Sequence, residues 1–447
     1  MKKKLVILSA AAMAVAVAVP ALAFENEFHG MYRLRANVTN FQAAGLSGIQ
    51  NTSGVGTAVP ASSALLAEDS RSFTLFEQRA RLMYIAKASD DLKLVTQFEI
   101  DSTWGDAAYA NGRGMGAGAG ADTVNLETKS VYLDFKLPST PVNMKVGIQG
   151  WGDAYKGIIY NNDMAGALAS AKMDALTATG AFFRTYDAGA GSATGKKNVD
   201  VYVLDGKFAL NKDTTLGASY YNFYNDNTST SAAAFPATGN VIVGNENAMT
   251  HTIGLNAATK LGIVGLDAFV LYQTGDALYD FQHITGDTKD VSAWAAQIAA
   301  KADLGMVTVR GAFLYTSGDD KEDNSESNAF QVVSENGTAS PATFAAPGGN
   351  YYSSQMLLLF RSVYAMDSDQ SIVRDMNNTN HGVMAGFLGA DFKVNDKFTA
   401  NVNLGTAYNS EKQQLTPATK ENDDYLGTEI NLSLNYKLYP TLTATLQ

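Results

Sequence analysis

Two runs near the C-terminal end decide the fold: KFTANVNLGTAYN at Lys397–Asn409 and DYLGTEINLSLNYKL at Asp424–Leu438. In the first, Phe398, Ala400, Val402, Leu404, Thr406 and Tyr408 alternate with Lys397, Thr399, Asn401, Asn403, Gly405, Ala407 and Asn409. In the second, Leu426, Ile430, Leu432, Leu434, Tyr436 and Leu438 alternate with Tyr425, Glu429, Asn431, Ser433, Asn435 and Lys437. A strict period of two puts the two sets on opposite faces of a strand. Soluble strands are usually about half this long, whereas a transmembrane barrel strand needs roughly 9–11 residues. The reading is a strand with its apolar face in lipid and its polar face in a water-filled lumen.

The same pattern predicts sixteen strands, at about 28–41, 71–87, 92–104, 123–137, 142–151, 166–173, 176–187, 198–210, 213–226, 249–261, 264–275, 291–303, 306–317, 381–394, 397–409 and 424–438. Links such as Ala88–Asp91, Pro138–Pro141 and Asn395–Asp396 are short. Those at Gln42–Ser70, Gly105–Asp122, Asp226–Ala248 and Gly318–Asn380 are long. Short and long links alternate, as in barrels with short periplasmic turns and long extracellular loops. The fold class is therefore all-β: a transmembrane antiparallel β-barrel of 16–18 strands. The range reflects Thr441–Gln447, which reads either as a short tail or as the start of a further strand in a chain that continues. Aromatic residues cluster at strand ends (Phe182 and Phe183; Tyr220, Tyr221, Phe223 and Tyr224; Tyr408; Tyr436 and Tyr439), where interfacial girdles are expected.

Residues 1–23 read as a secretory signal. Lys2–Lys4 precede the apolar run Leu5–Val19 and an Ala21-Leu22-Ala23 cleavage site. The barrel is then residues 24–447. With 33 basic and 44 acidic residues the chain is net acidic, which argues against nucleic acid as a partner. It has no cysteine, which excludes disulfides, thiolate chemistry and covalently held c-type haem. His29, His251, His283 and His381 form no metal-binding spacing, and no nucleophile elbow is present. The expectation is no enzyme, no cofactor and no metal.

The lumen-facing residues expected to carry function begin with Arg33 and Arg35 on the first strand. Glu77, Arg79 and Arg81 follow on the second, and Glu99 and Asp101 on the third. Arg184 and Arg310 extend the set on later strands. The face of Lys129 is ambiguous, because Val131, Leu133 and Phe135 share its parity. Such a ladder either sorts solutes by charge at a constriction or braces the wall by mutual neutralisation. Two loops are candidates to narrow the lumen. One is Trp151–Ala165, with Tyr155, Tyr160, Asn161, Asn162 and Asp163 as a polar eyelet with aromatic walls. The other is Gly318–Asn380, whose apolar run Met356–Phe360 must be covered, by the barrel mouth or by a neighbouring protomer.

Phe24–Arg35 (FENEFHGMYRLR), Phe76–Leu82 (FEQRARL), Val146–Asp153 (VGIQGWGD) and Asn162–Gly166 (NDMAG) resemble porin-type outer-membrane channel proteins. The resemblance is in particular to the OmpJ-type major channels of metal-reducing bacteria, and it covers most of the mature chain. It implies passive diffusion of small hydrophilic solutes or ions through the outer membrane. The partners it implies are outer-membrane lipid and lipopolysaccharide, with a homotrimer as the assembly porins often adopt. An envelope that exports electrons adds an alternative: a structural sleeve around a multihaem cytochrome in a porin–cytochrome electron conduit.

Overall fold

A computed structural model describes residues 24–39, 73–106, 116–120, 124–187, 198–225, 248–277, 289–319, 326–333, 349–361, 371–373, 375–378, 380–412 and 424–447. The signal reading at 1–23 and most of the acidic loop after Gly318 lie outside the described residues.

The described residues contain eighteen strands in one sheet. They are β1 (Glu25–Thr39), β2 (Phe73–Ser89), β3 (Leu92–Thr103), β4 (Glu127–Lys136), β5 (Val142–Gly152) and β6 (Asn161–Met173). Next come β7 (Leu176–Asp187), β8 (Asn198–Ala209), β9 (Thr214–Asn225), β10 (Ala248–Leu261), β11 (Val264–Ala277) and β12 (Lys289–Asp303). The last are β13 (Val307–Thr316), β14 (Glu326–Ser327), β15 (Val383–Lys393), β16 (Phe398–Tyr408), β17 (Tyr425–Tyr439) and β18 (Leu442–Leu446). The sixteen long strands are those expected from sequence. β18 is the short strand at 441–447, paired with β17. β14 was not foreseen; it is two residues in the mouth, parallel to β12.

The wall is an up-and-down meander in which each long strand pairs antiparallel with the next, and β13 pairs with β15. β1 and β18 are its ends; among the described residues β1 has a ladder to β2 alone. The narrow turns that join β2 to β3, β6 to β7, β10 to β11 and β15 to β16 all fall on one side. The turn after β15 uses Asn395, whose Oδ1 accepts the N–H groups of Lys397 and Phe398 at 2.9 Å each, an Asx turn that reverses the chain tightly.

The outer face is apolar where lipid requires it. Tyr32 and Leu34 on β1, Leu204 on β8, Leu255 on β10, Leu388 on β15 and Ile430 and Leu432 on β17 are all exposed. Their strand neighbours Arg79, Thr252, Asn403, Asn431 and Ser433 are buried on the inner face. This is a transmembrane antiparallel β-barrel with an apolar exterior, the architecture of outer-membrane barrels, and an interior that is polar in part and apolar where loops pack inside it.

Register slips in five strand pairs among the described residues, and two of these slips bear on the expected faces. Between Gln97 and Phe98 the β3–β4 register slips, so that Phe98 faces Thr128 and Gln97 faces Ser130. Lys129 is the extra residue, which resolves its ambiguous parity. At Gly427 (φ 154°) the β16–β17 register slips again. Only glycine adopts that backbone readily. Here the sequence expectation fails: Tyr425 is exposed and its ring lies 5.4 Å from Tyr408, while Leu426 packs on the interior core.

The face assignment predicts an asymmetry on β16. Leu404→Arg puts a charge in lipid and should weaken refolding into bilayers by about 2–4 kcal/mol. Asn401→Arg on the inner face should change it by less than about 1 kcal/mol. Equal effects in a urea-titrated refolding assay would contradict the orientation.

Candidate functional site

The inner wall of β1–β3 carries the expected ladder. Register sets Arg33 opposite Arg79 and Arg35 opposite Glu77. It sets Arg79 opposite Asp101 and Arg81 opposite Glu99. Arg79 Nε donates to Asp101 Oδ1 at 2.6 Å, with a second bond from Nη2 to Oδ2. Arg81 Nε donates to Glu99, which also lies 3.4 Å from Arg79 Nε. Glu77, Arg79, Glu99 and Asp101 face inward but are buried, packed into one another. The Arg81 side chain is more open, at 28% exposure. Elsewhere on the wall, Arg310 of β13 faces inward and binds Asp391 of β15 and Asn403 of β16.

Arg184 departs from the expectation. It shares its face with Phe182, which is exposed, whereas Phe183 between them is buried in the core. Arg184 therefore points outward at the loop end of β7, 5.9 Å above the Phe182 ring. Its guanidinium pairs with Asp200 at 2.8 and 3.0 Å and with Asp187 at 2.9 Å. Parity groups Arg184 with Leu176, Ala178 and Phe182, opposite Thr177, Thr179 and Thr185; a phenylalanine on each face, at 182 and 183, obscures that grouping in the sequence.

The expected eyelet is also corrected. β5 extends to Gly152 and β6 starts at Asn161, so the connecting loop is only residues 153–160. Tyr155 and Tyr160 are packed in the core rather than lining a polar opening. Asn161 and Asp163 lie on β6 opposite Gly152 and Gly150, on the face away from buried Met164. Asn162 has the inward parity, and its Oδ1 accepts the N–H of Asp163 at 2.9 Å. Lys129, turned by its bulge, donates to Asp163 at 2.6 Å. A cavity of about 500 Å³ opens there, lined by Glu99, Glu127, Lys129, Asp163 and Arg184 among others. It sits where β4 and β5 are unpaired beyond Val131 and Ile148.

What fills the mouth is a joint plug made of both candidate loops. The Gly349–Arg361 stretch meets the 153–160 loop through Asn350 N–H to Gly157 O at 2.9 Å, and Val333 N–H reaches Ile159 O at 3.1 Å. Tyr155, Ile158, Ile159, Phe330, Tyr351, Met356, Leu359 and Phe360 bury their side chains against Phe183, Tyr221, Phe269, Leu314 and Phe387 of the wall. Gly254 of β10 makes room for this: an added Cβ would overlap the Tyr155 hydroxyl. Gly405 of β16 does the same for Met356.

Two carboxylates fasten the plug. Asp153 Oδ1 accepts the N–H groups of Tyr155 and Gly157 at 2.7 and 2.9 Å, and Oδ2 accepts those of Ile159 and Tyr160 at 2.7 and 2.9 Å. Glu429 on β17 accepts from Leu357, Leu358 and Leu359 N–H at 2.7, 2.9 and 2.7 Å. Asn431 beside it donates to Glu429 and to Gln355 O. Gln273 of β11 holds Gln331 by both its N–H and its C=O, at 2.7 and 2.9 Å. Sequence reasoning missed all three anchors. The one available signal was a carboxylate, Glu429, at an inward position in a strand otherwise lined by Asn and Ser.

No protein-family model and no curated protein sequence matches this chain. Among solved structures it is similar to OccAB4 of Acinetobacter baumannii, at 12% identity over 94% of this chain and 90% of that one, with a TM-score of 0.48. It is similar to OccK8 (OprE) of Pseudomonas aeruginosa, at 10% identity over 93% and 89%, with a TM-score of 0.49. It is also similar to the trimer form of OmpT, an outer membrane protein of Vibrio cholerae, at 9% identity over 90% and 94%, with a TM-score of 0.43.

Burial pushes the Asp153 carboxyl up to about 6, against the opposing pull of its four backbone donors. The seated loop therefore holds a proton more tightly than the released loop, whose carboxyl titrates at the ordinary 3.8. The seat is strongest below about pH 4 and weakens as pH rises to about 6, after which it is flat. Amide exchange at 155–160, corrected for intrinsic rate, should show more protection at pH 4.5 than at pH 7.5. Asp153→Ala strips the acceptor from all four amides, at about 1–3 kcal/mol each, and should abolish that protection at both pH values. Protection that rises with pH would contradict the assignment.

Proposed function

We propose that this outer-membrane barrel is a channel for passive diffusion of small hydrophilic solutes or ions. The observation that carries it is the asymmetry of the interior. The plug, with its apolar core, draws its wall contacts from β5 through β13 and from β15 to β17. The arginine–carboxylate ladder stands on β1–β3, outside that core. A plug seated on the later strands and facing the charges of β1–β3 leaves a narrowed polar path beside them. Arg81, the ladder arginine whose side chain stays 28% exposed, borders that path.

In this reading Arg33, Arg35, Arg79 and Arg81 with Glu77, Glu99 and Asp101 form the fixed charged wall. Arg310 with Asp391 is a second inward pair, on β13 and β15. Loop 153–160 and the Gly349–Arg361 stretch set the bore. No catalytic constellation enters the account. The narrower kinship with OmpJ-type channels rests on the sequence resemblance. A homotrimer follows only by analogy with porins in general. The alternative, a sleeve around a multihaem cytochrome, rests on the sequence resemblance alone.

Planar-bilayer recording across a salt gradient tests the proposal: the refolded chain should give discrete, ohmic steps with a modest reversal potential. Arg81→Ala removes the more exposed cation of the ladder and should move the reversal potential toward cation preference. A folded barrel that passes no current would overturn the reading.

A further inference from the structure

On the outer face, at the loop end of β8–β12, the apolar surface changes character over one step of the ladder. One row across the strands is Leu204, Tyr220, Ile253, Tyr272 and Trp294. The Tyr272 and Trp294 rings lie 4.5 Å apart. This row is a girdle of the kind that marks the headgroup level. Two residues nearer the loops, the next outward row is Tyr202, Asn222, His251, Thr274 and Ser292. Every member of it carries a hydrogen-bonding group, on a surface that faces the bilayer.

A shallow cavity of about 470 Å³ sits here, lined by Tyr202, Tyr220, Asn222, Tyr224, Met249 and His251. Its polar groups are fixed. Tyr220 Oη lies 2.7 Å from His251 Nδ1, and the two rings stack at 5.9 Å and 25°. Asn222 Nδ2 donates to the same Nδ1 at 3.2 Å. Nδ1 is thus an acceptor, so the neutral ring carries its proton on Nε2 and offers it as a donor. The nearby cation, Arg184, is engaged by Asp200 and Asp187. The lining itself has aromatic faces, an amide, hydroxyls and an imidazole N–H, but no lysine or arginine.

We propose that this recess binds a sugar ring of an outer-leaflet glycolipid headgroup. Flat aromatic faces match the apolar faces of a pyranose, and neutral fixed donors and acceptors match its hydroxyls. The depth, one step beyond the girdle, is where headgroup sugars lie. A phosphate would call for a free cation in the lining, and acyl chains would call for no polar group at all.

Purified full-length barrel in detergent is titrated with lipid A carrying core sugars and, separately, with phosphatidylglycerol, and retained lipid is read by native mass spectrometry. The wild type should retain the glycolipid and not the phospholipid. Replacing Asn222 and His251 together by Leu keeps a lipid-compatible outer face and should weaken glycolipid retention by about tenfold, the loss of one or two hydrogen bonds. His251→Gln, which changes less, should weaken it partially and serves if the double variant does not fold by heat-modified mobility. Equal retention by wild type and variants, or equal retention of phosphatidylglycerol, overturns the proposal. So does a variant that changes the oligomeric mass with lipid retention unchanged, which would make the recess a protomer contact.

Discussion

The interior of this barrel depends on carboxylates that accept several backbone N–H groups at once, one buried (Asp153) and one half-buried (Glu429). A loop that enters a barrel mouth brings amides that lose water and find no ladder partner. Asp153 supplies acceptors for four of them, and Glu429 for three more. Leaving a buried amide without such an acceptor costs about 1–3 kcal/mol. Apolar side chains alone would collapse the loops without fixing their course; the carboxylates give them one backbone path.

The division of labour follows from this. Asp153 organises its own loop from within, while Glu429 belongs to the wall and captures a loop from β17. The captured loops meet each other through Asn350 and Val333, so the two anchors hold a single body. Wall glycines at 254 and 405 admit its largest side chains. The charged ladder of β1–β3 neutralises itself locally, which allows three arginines or more to stand close together on one wall.

Much of the wall was legible in the sequence because period-two alternation reports directly on which face meets lipid. Sixteen strands, the alternation of turn and loop, and the β1–β3 ladder all follow from it. It failed where alternation slips. Gly427 turns Leu426 inward and Tyr425 outward, and a lone glycine in a strand does not say whether it marks a bulge. It failed again where each face carries a phenylalanine, since Phe182 and Phe183 look alike until one is placed in the core; Arg184 was misassigned for that reason. Tyr155 and Tyr160 read as aromatic walls of a lumen because loop composition cannot distinguish a ring that lines a path from one that fills it. The backbone-accepting roles of Asp153 and Glu429 depend on amides 70 or more residues away in the case of Glu429, and no local pattern encodes them.

The most direct test removes both fastenings together. Single-channel conductance of the Asp153→Ala, Glu429→Ala double variant is compared with the wild type in the same bilayer and salt. A larger and noisier conductance is predicted, because the plug is released while the backbone ladders of the wall, which neither side chain makes, are kept. An unchanged, quiet conductance from a folded double variant would contradict it, since the plug would then be held by something other than these carboxylates.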